Sequence, residues 1–123
     1  RVSSSAASDV YKRQLQHCKT CLKTNGLRYY DAGRKVHKLA VMGGSGGDAV
    51  ETAYFKGCDT YVTADIKYHQ FLQAKELGVN LIDGDHFCTE NLIIPVLADV
   101  LTYEFEDVVF SVSKIHRQLI QFA

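Results

Sequence analysis

The feature that most constrains the fold is an alternation of short apolar segments with longer segments of helical periodicity. Apolar segments cover residues 37–42, 60–63, 79–82 and 107–112, and helical segments cover residues 48–56, 67–77 and 86–103. This alternation is typical of a parallel sheet with helices packed on its faces through right-handed crossovers. The apolar segments are continuous, as expected for strands that are covered on both sides. The sequence therefore predicts an α/β fold of order β-α-β-α-β-α-β with a mostly parallel sheet.

Residues 1–14 do not share this pattern. They are rich in Ser and Ala, lack an initiator Met and include the string VSSSAASDVYKRQ, which is typical of a translated library linker. We expect residues 1–14 to be a non-native, disordered segment and residues 15–123 to form one α/β segment. A helix beginning at Leu15 and closed by Asn25-Gly26, then a short strand over residues 27–30, are predicted ahead of the alternating region.

Composition and charge argue against two classes of function. From Leu39 onward the chain carries twelve acidic residues against five basic ones, which disfavours a nucleic-acid grip. No apolar run reaches the roughly 18–20 residues that would cross a bilayer, so no membrane association is expected. Four unevenly spaced cysteines and the absence of a secretory signal predict a reducing, cytoplasmic location.

Polar or glycine-rich segments follow three of the predicted strands, and parallel strands deliver such segments to one edge of the sheet. The first holds Gly43, Gly44, Gly46 and Gly47, whose N–H groups could surround an anion or could permit a tight turn with close backbone approach. The second holds Asp65 and His69, for which a helix cap and a surface histidine are the ordinary alternative. We expect all of these residues to border one pocket with the third segment.

The third segment contains His86 and Glu90, four residues apart at the start of a predicted helix and therefore on one face. An imidazole nitrogen and a carboxylate oxygen together suit zinc, iron or manganese, although a surface His–Glu pair is the alternative. Asp83 and Asp85 could orient His86 from behind. Two ligands do not complete a site, so the remaining donors must come from elsewhere.

The ordered combination of AVMGGSGGDAV, TADIKYH and LIDGDHFCTEN resembles the C-terminal half of the Nif-three-like family of dinuclear metal-centre proteins, also described as GTP cyclohydrolase I type 2 homologues. The resemblance implies a truncated half of that fold, in which His86 and Glu90 are metal ligands and Asp65 and His69 lie near the metals. Asp85 adds a carboxylate beside His86 where the family often has glycine. Two divalent metal ions would then be held jointly with N-terminal ligands that this chain lacks.

The resemblance further implies a ring-shaped homohexamer and a metal-dependent hydrolase acting on a small molecule. The alternatives are a non-catalytic metal- or nucleotide-binding regulatory protein and an inert truncated product. Metal-dependent turnover of GTP by an intact relative would separate an enzyme from the other two.

Cys18 and Cys21 form a single CxxC motif on the predicted first helix, outside the matching blocks. Because no second pair stands at zinc-finger spacing, half-buried packing is expected. Replacing both by Ser in an intact relative that carries this half should leave the metal content measured by mass spectrometry unchanged. Loss of one metal equivalent per chain would instead identify the two cysteines as ligands.

Overall fold

The computed structural model describes the backbone of residues 4–123 and the side chains from Lys12 onward. Its elements in chain order are α1 (Ser4–Leu22), β1 (Arg28–Tyr30), β2 (Leu39–Ser45), a 3-10 turn (Gly47–Ala49), α2 (Val50–Phe55), β3 (Thr60–Ala64), α3 (Tyr68–Leu77), β4 (Asn80–Asp83), α4 (His86–Asn91) and α5 (Ile93–Glu104). The mixed α/β class predicted from the sequence is confirmed.

The strands form one four-stranded sheet in the order β1-β4-β3-β2. The strand pairs β2–β3 and β3–β4 are parallel, and β1 joins the far edge of β4 in antiparallel orientation. Every residue of β3 and β4 is buried, which agrees with the continuous apolar character of these segments. The two central strands therefore position whatever follows their carboxyl ends.

Alternate residues of the central strands face two separate apolar clusters. Tyr61 and Leu81 belong to the larger cluster with residues of α2 and α3, whereas Val62 and Ile82 pack with Leu15 of α1 on the opposite face. The period of two places neighbouring strand residues on opposite sides of the sheet. Helices thus cover both faces of the sheet, as predicted.

The first helix differs from the sequence-based expectation. It begins at Ser4 and so includes most of the segment predicted to be disordered, while residues 1–3 lie outside the described residues. Ala, Lys, Arg and Gln in this stretch are strong helix formers, which accounts for the helical backbone. Whether residues 1–14 are native stays a prediction. On the same helix, Cys18 packs against the smaller core cluster and Cys21 is exposed.

The glycine-rich segment is not simply a loop after a strand that ends at Met42. Strand β2 continues to Ser45, and its pairing with β3 changes register between Val41 and Ser45. Gly44 has a φ of 70° within this irregular stretch, a backbone conformation that glycine adopts without steric cost. The predicted helix over residues 48–56 is correspondingly shorter and begins as the 3-10 turn.

The predicted single helix over residues 86–103 is also wrong in detail, because the structure divides it at Leu92 into α4 and α5. Pro95 explains the division. It has no N–H to donate to the carbonyl of Asn91, and its ring crowds that carbonyl. A proline is tolerated in the first turn of a new helix, where α5 places it.

The strand predicted over residues 107–112 is absent, since the chain runs without regular structure after Glu104. A strand needs a neighbouring edge to pair its backbone groups, and none of the described strands lies beside this segment. Val109 is 96% exposed. Helix α5 likewise buries none of its residues and exposes Ile93, Val96 and Val100. Among the described residues, no helix is both long and apolar enough to cross a bilayer.

Hydrogen bonds to Asp59 link the start of β3 to the segment leading into β2. Its carboxylate accepts hydrogen bonds from the N–H groups of His37 (3.0 Å) and Lys38 (2.9 Å) and from the hydroxyl of Thr60 (2.8 Å). Burial raises the pKa of Asp59, but hydrogen bonds from Lys38, Thr60 and His37 outweigh it and hold the pKa below its usual value. The ionised carboxylate therefore stabilises the folded chain.

Replacing Asp59 by Ala is expected to lower the free energy of unfolding by about 1–3 kcal/mol at neutral pH, because two backbone N–H groups in part-buried hydrogen bonds lose their acceptor. The stabilisation by the carboxylate is fully present above the pKa of the unfolded chain, about 3.9, and is lost as pH falls through the lower folded pKa. Chemical denaturation at a series of pH values measures both effects.

The matched control for this substitution is Asp99→Ala, since Asp99 is exposed on α5. A surface change of this kind is expected to alter stability by less than about 0.5 kcal/mol. Equal stability of the Asp59 and Asp99 variants at neutral pH would contradict the role assigned to Asp59.

Candidate functional site

The carboxyl ends of the parallel strands meet at one edge of the sheet, where their loops bring three candidate residues together. Asp65 follows β3 directly, and His86 begins α4 three residues after the end of β4. Oδ2 of Asp65 lies 2.6 Å from Nδ1 of His86, and Oε2 of Glu90 lies 3.2 Å from Nε2 of the same ring. The two ring nitrogens therefore face two different carboxylates.

Both contacts follow from local structure. Glu90 stands one helical turn after His86, so the two side chains share a face of α4. Asp65 reaches His86 from the neighbouring strand because β3 and β4 run parallel with Thr63 opposite Asp83. His86 and Glu90 remain accessible, with 42% and 56% of their side-chain surface exposed.

The electrostatics of this cluster favour positive charge at the ring. The hydrogen bond with Asp65 raises the pKa of His86, desolvation opposes this, and the negative charges of Glu90 and Asp65 raise the pKa further, so the net shift is upward. A proton on the ring or a cation beside it meets the same stabilising field. The two carboxylates therefore favour a positive charge on the ring or next to it.

Gly43 and Gly44 bring β2 close to α4 at this point. The N–H of Gly44 donates to the hydroxyl of Thr89 (3.0 Å), which in turn donates to the carbonyl of His86 (3.1 Å). A Cβ added to Gly44 would overlap Oε1 of Glu90 and lie 3.5 Å from Nε2 of His86. The absence of side chains here leaves the space that the two polar groups occupy.

Gly46 and Gly47 serve different neighbours. The carbonyl of Gly46 accepts a hydrogen bond from the hydroxyl of Tyr61 (2.7 Å), and a Cβ on Gly47 would overlap the side-chain amide of Gln70. Of the two readings of the glycine segment, close backbone approach accounts for these contacts. Within the glycine segment, only Gly43 and Gly44 lie beside Glu90.

Two other candidates from the sequence lie apart from the cluster. The carboxylate of Asp85 accepts a hydrogen bond from the N–H of Cys88 (3.0 Å) as the N-cap of α4, and it also contacts the amide of Gln118. His69 is exposed on α3, with no hydrogen bond or ion pair to the other candidates in the described part of the chain. Asp85 therefore shapes the helix that carries His86, and the carboxylate on Nδ1 is that of Asp65.

The sequence named Asp83 as a residue that could orient His86, but it did not reveal that Asp83 forms an ion pair with Arg28. Oδ2 of Asp83 accepts from the N–H of Ile66 (3.1 Å), Oδ1 accepts from the N–H of Asp85 (3.1 Å), and the guanidinium of Arg28 pairs with the same carboxylate. Arg28 also donates to the carbonyl of Ile66 at 2.8 Å. The only sequence signal for this arrangement was an aspartate ending an apolar strand.

An open cavity of about 870 Å³ adjoins the cluster. Gly43, His86 and Glu90 line one side, and residues 115–120 of the C-terminal segment line the other. Asp65, His69, Gly44, Gly46 and Gly47 do not border it, so the single pocket expected from the sequence forms only in part. The cavity is large enough for a small molecule next to the two polar groups.

Within the described residues, no group of three or more His, Cys, Asp or Glu side chains is arranged to hold a metal ion. His86 and Glu90 nevertheless offer a nitrogen and an oxygen donor that converge on the space beside Gly44. Two donors do not complete a metal site, which needs further ligands.

Comparisons with known proteins identify one matching family model and several relatives. The model of the Duf34/NIF3 (NGG1p interacting factor 3) family matches residues 3–119. The chain is 38% identical over 80 residues to a GTP cyclohydrolase 1 type 2 homolog of Clostridium acetobutylicum, covering 64% of this chain and 30% of that protein. It is 42% identical over 67 residues to a Bacillus subtilis protein of the same name, covering 54% and 18% respectively.

Solved structures show the same relationship. A Bacillus cereus protein related to NIF3 superposes with a TM-score of 0.73 at 30% identity, over 89% of this chain and 31% of that one. Staphylococcus aureus protein SA1388 gives a TM-score of 0.71 at 30% identity, over 85% and 31%. The chain thus spans less than a third of the length of each of these relatives.

The role of Gly44 can be tested against Gly33, which has a φ of 73° but no atom within 4 Å of an added Cβ. Both Gly44→Ala and Gly33→Ala should cost about 1–2 kcal/mol of stability, because alanine resists the left-handed backbone. Only Gly44→Ala should displace the flexible carboxylate of Glu90 and shift the NMR resonances of the His86 ring. Unchanged His86 resonances in Gly44→Ala would refute the role of this glycine.

Proposed function

Because the chain belongs to the Duf34/NIF3 family, we propose that it is the C-terminal part of a dinuclear metal-binding protein that acts as a hydrolase of the GTP cyclohydrolase I type 2 kind. The observation that carries the proposal is the geometry around His86. Its Nε2 and the carboxylate of Glu90 lie 3.2 Å apart beside an open cavity, while Asp65 engages the other ring nitrogen. A histidine with a carboxylate on one ring nitrogen, and with the other nitrogen directed toward a second ligand, is the usual environment of a metal-binding histidine.

The donor set fits a divalent transition-metal ion. A neutral imidazole nitrogen and a carboxylate oxygen suit zinc, iron or manganese, and the two carboxylates offset the positive charge of an ion. His86 and Glu90 would be the ligands from this chain. A pair of ions needs more donors than these two residues supply, so the remaining ligands belong to parts of the full-length protein beyond this segment.

The metal ions would supply Lewis acidity and an activated water for hydrolysis. The residues of this chain would orient the metal ligands and leave room for them. Asp65 fixes the orientation of the His86 ring, and Gly43 and Gly44 leave room for the carboxylate of Glu90. The cavity would accommodate a small-molecule substrate, with Ile94 and Ile120 among the apolar residues of its lining.

The apolar residues exposed along α5 support the proposal that the full-length protein buries this surface. On the family resemblance, we propose that the corresponding assembly is a homohexamer. Cys18, Cys21, Cys58 and Cys88 are free thiols, which supports a reducing cytoplasmic location.

The proposal predicts that this chain alone takes up little metal and that a full-length protein carrying it takes up about two ions per chain. The physical reason is the number of ligands, since two donors retain little of the chelate effect. Metal content is measured by mass spectrometry after equilibration with zinc, manganese or iron. His86→Ala in the full-length protein should cause a clear loss of bound metal.

His69→Ala is the matched control, because His69 is an exposed histidine on the neighbouring helix α3 and should not affect metal content. Near-stoichiometric binding by the chain alone that persists in His86→Ala would refute the metal proposal. GTP turnover by the full-length protein, lost on metal removal, tests the hydrolase. Tight metal binding without turnover would favour the non-catalytic regulatory role.

A further inference from the structure

Asp65 occupies a backbone conformation that few residues other than glycine adopt. Its φ is 52°, in the left-handed region. This conformation turns the chain directly after β3 and places Oδ2 at 2.6 Å from Nδ1 of His86. Non-glycine residues held in this region are found preferentially at functional sites.

The residue after Asp65 is held from both sides. The N–H of Ile66 donates to the carboxylate of Asp83 at 3.1 Å, and its carbonyl accepts from Arg28 at 2.8 Å. Arg28 and Asp83 are themselves paired, and Ile66 is buried. The position of Asp65 is therefore restrained by neighbours whose hydrogen bonds and ion pairs, within the described part of the chain, do not involve the His86 ring.

The two carboxylates beside His86 compete for its single N–H. A neutral imidazole carries one proton, on either Nδ1 or Nε2. The contact of Nδ1 with Asp65 (2.6 Å) is shorter than that of Nε2 with Glu90 (3.2 Å), and short charge-assisted hydrogen bonds are the stronger ones. Asp65 also sits on a restrained loop, whereas Glu90 is a longer side chain on a helix surface.

We propose that Asp65 is the positioning residue of this site: it accepts the Nδ1–H of neutral His86 and thereby leaves the lone pair of Nε2 directed toward Glu90. This inference rests on the proposed function, in which Nε2 is the metal donor. Asp65 acts through His86, and the Arg28–Asp83 pair acts through Asp65. A histidine ring fixed in this way offers the same nitrogen to a ligand in every molecule.

The test is the tautomer of His86 in the metal-free chain, read from its ring ¹⁵N resonances at about pH 9, where histidine is largely neutral. His86→Ala identifies the resonances among the five histidines. We expect the Nδ1–H form to predominate in the wild type. Asp65→Gly keeps the left-handed backbone accessible but removes the carboxylate, so the Nε2–H form should become the major one.

Asp65→Asn provides the conservative rescue, because its side-chain oxygen can accept the same proton, and it should retain the Nδ1–H form. Glu90→Ala removes the competing carboxylate and should also retain it. Unchanged sheet amide resonances would show that each variant is folded. An Nε2–H ring in the wild type, or an Nδ1–H ring in Asp65→Gly, would overturn the inference.

These outcomes are independent of metal uptake, because the measurement needs no metal. An Asp65-dependent tautomer in a full-length protein that binds no metal would refute the proposed function alone. Metal uptake through His86 together with a tautomer that ignores Asp65 would refute this inference alone.

Discussion

The carboxylate of Asp83 joins the ends of the two central strands, and the geometry of the candidate site depends on that junction. It accepts hydrogen bonds from the N–H of Ile66 after β3 and from the N–H of Asp85 after β4. The same carboxylate is neutralised by Arg28 from the antiparallel edge strand. A buried carboxylate without partners is costly in free energy, and these three contacts together offset that cost. They fix the two loops that bring Asp65 and His86 into contact.

The second constraint is the close approach of β2 to α4. Strand β2 carries its glycines where an ordinary strand would carry side chains, and the N–H of Gly44 bonds to Thr89 of the helix. The helix can then lie near enough to the sheet for His86 and Glu90 to occupy the space beside Gly44. The same glycines therefore allow α4 to pack closely on β2 and leave room for the side chains of His86 and Glu90.

Helix α5 and the segment after it expose their apolar residues, unlike the central strands. The helix is strongly apolar, yet it buries no residue, and the β-prone segment over residues 107–112 has no strand beside it among those described. In water, such surface is stable only when other chain covers it. This is consistent with a chain that spans 31% of the length of its relatives of known structure.

The sequence by itself determined the α/β class, the three parallel strands with their covered faces, and the pairing of His86 with Glu90, because these depend on periodicity and on neighbours four residues apart. It could not determine that Asp65, rather than Asp85, contacts the His86 ring, since that choice depends on strand register and on a left-handed residue held by Asp83. For the same reason, the strand predicted over residues 107–112 does not form. Its β propensity is a local property, whereas the neighbouring strand edge that it needs must come from elsewhere in the chain. Local patterns depend only on short stretches of sequence. Contacts between distant residues exist only once the tertiary structure has brought those residues together.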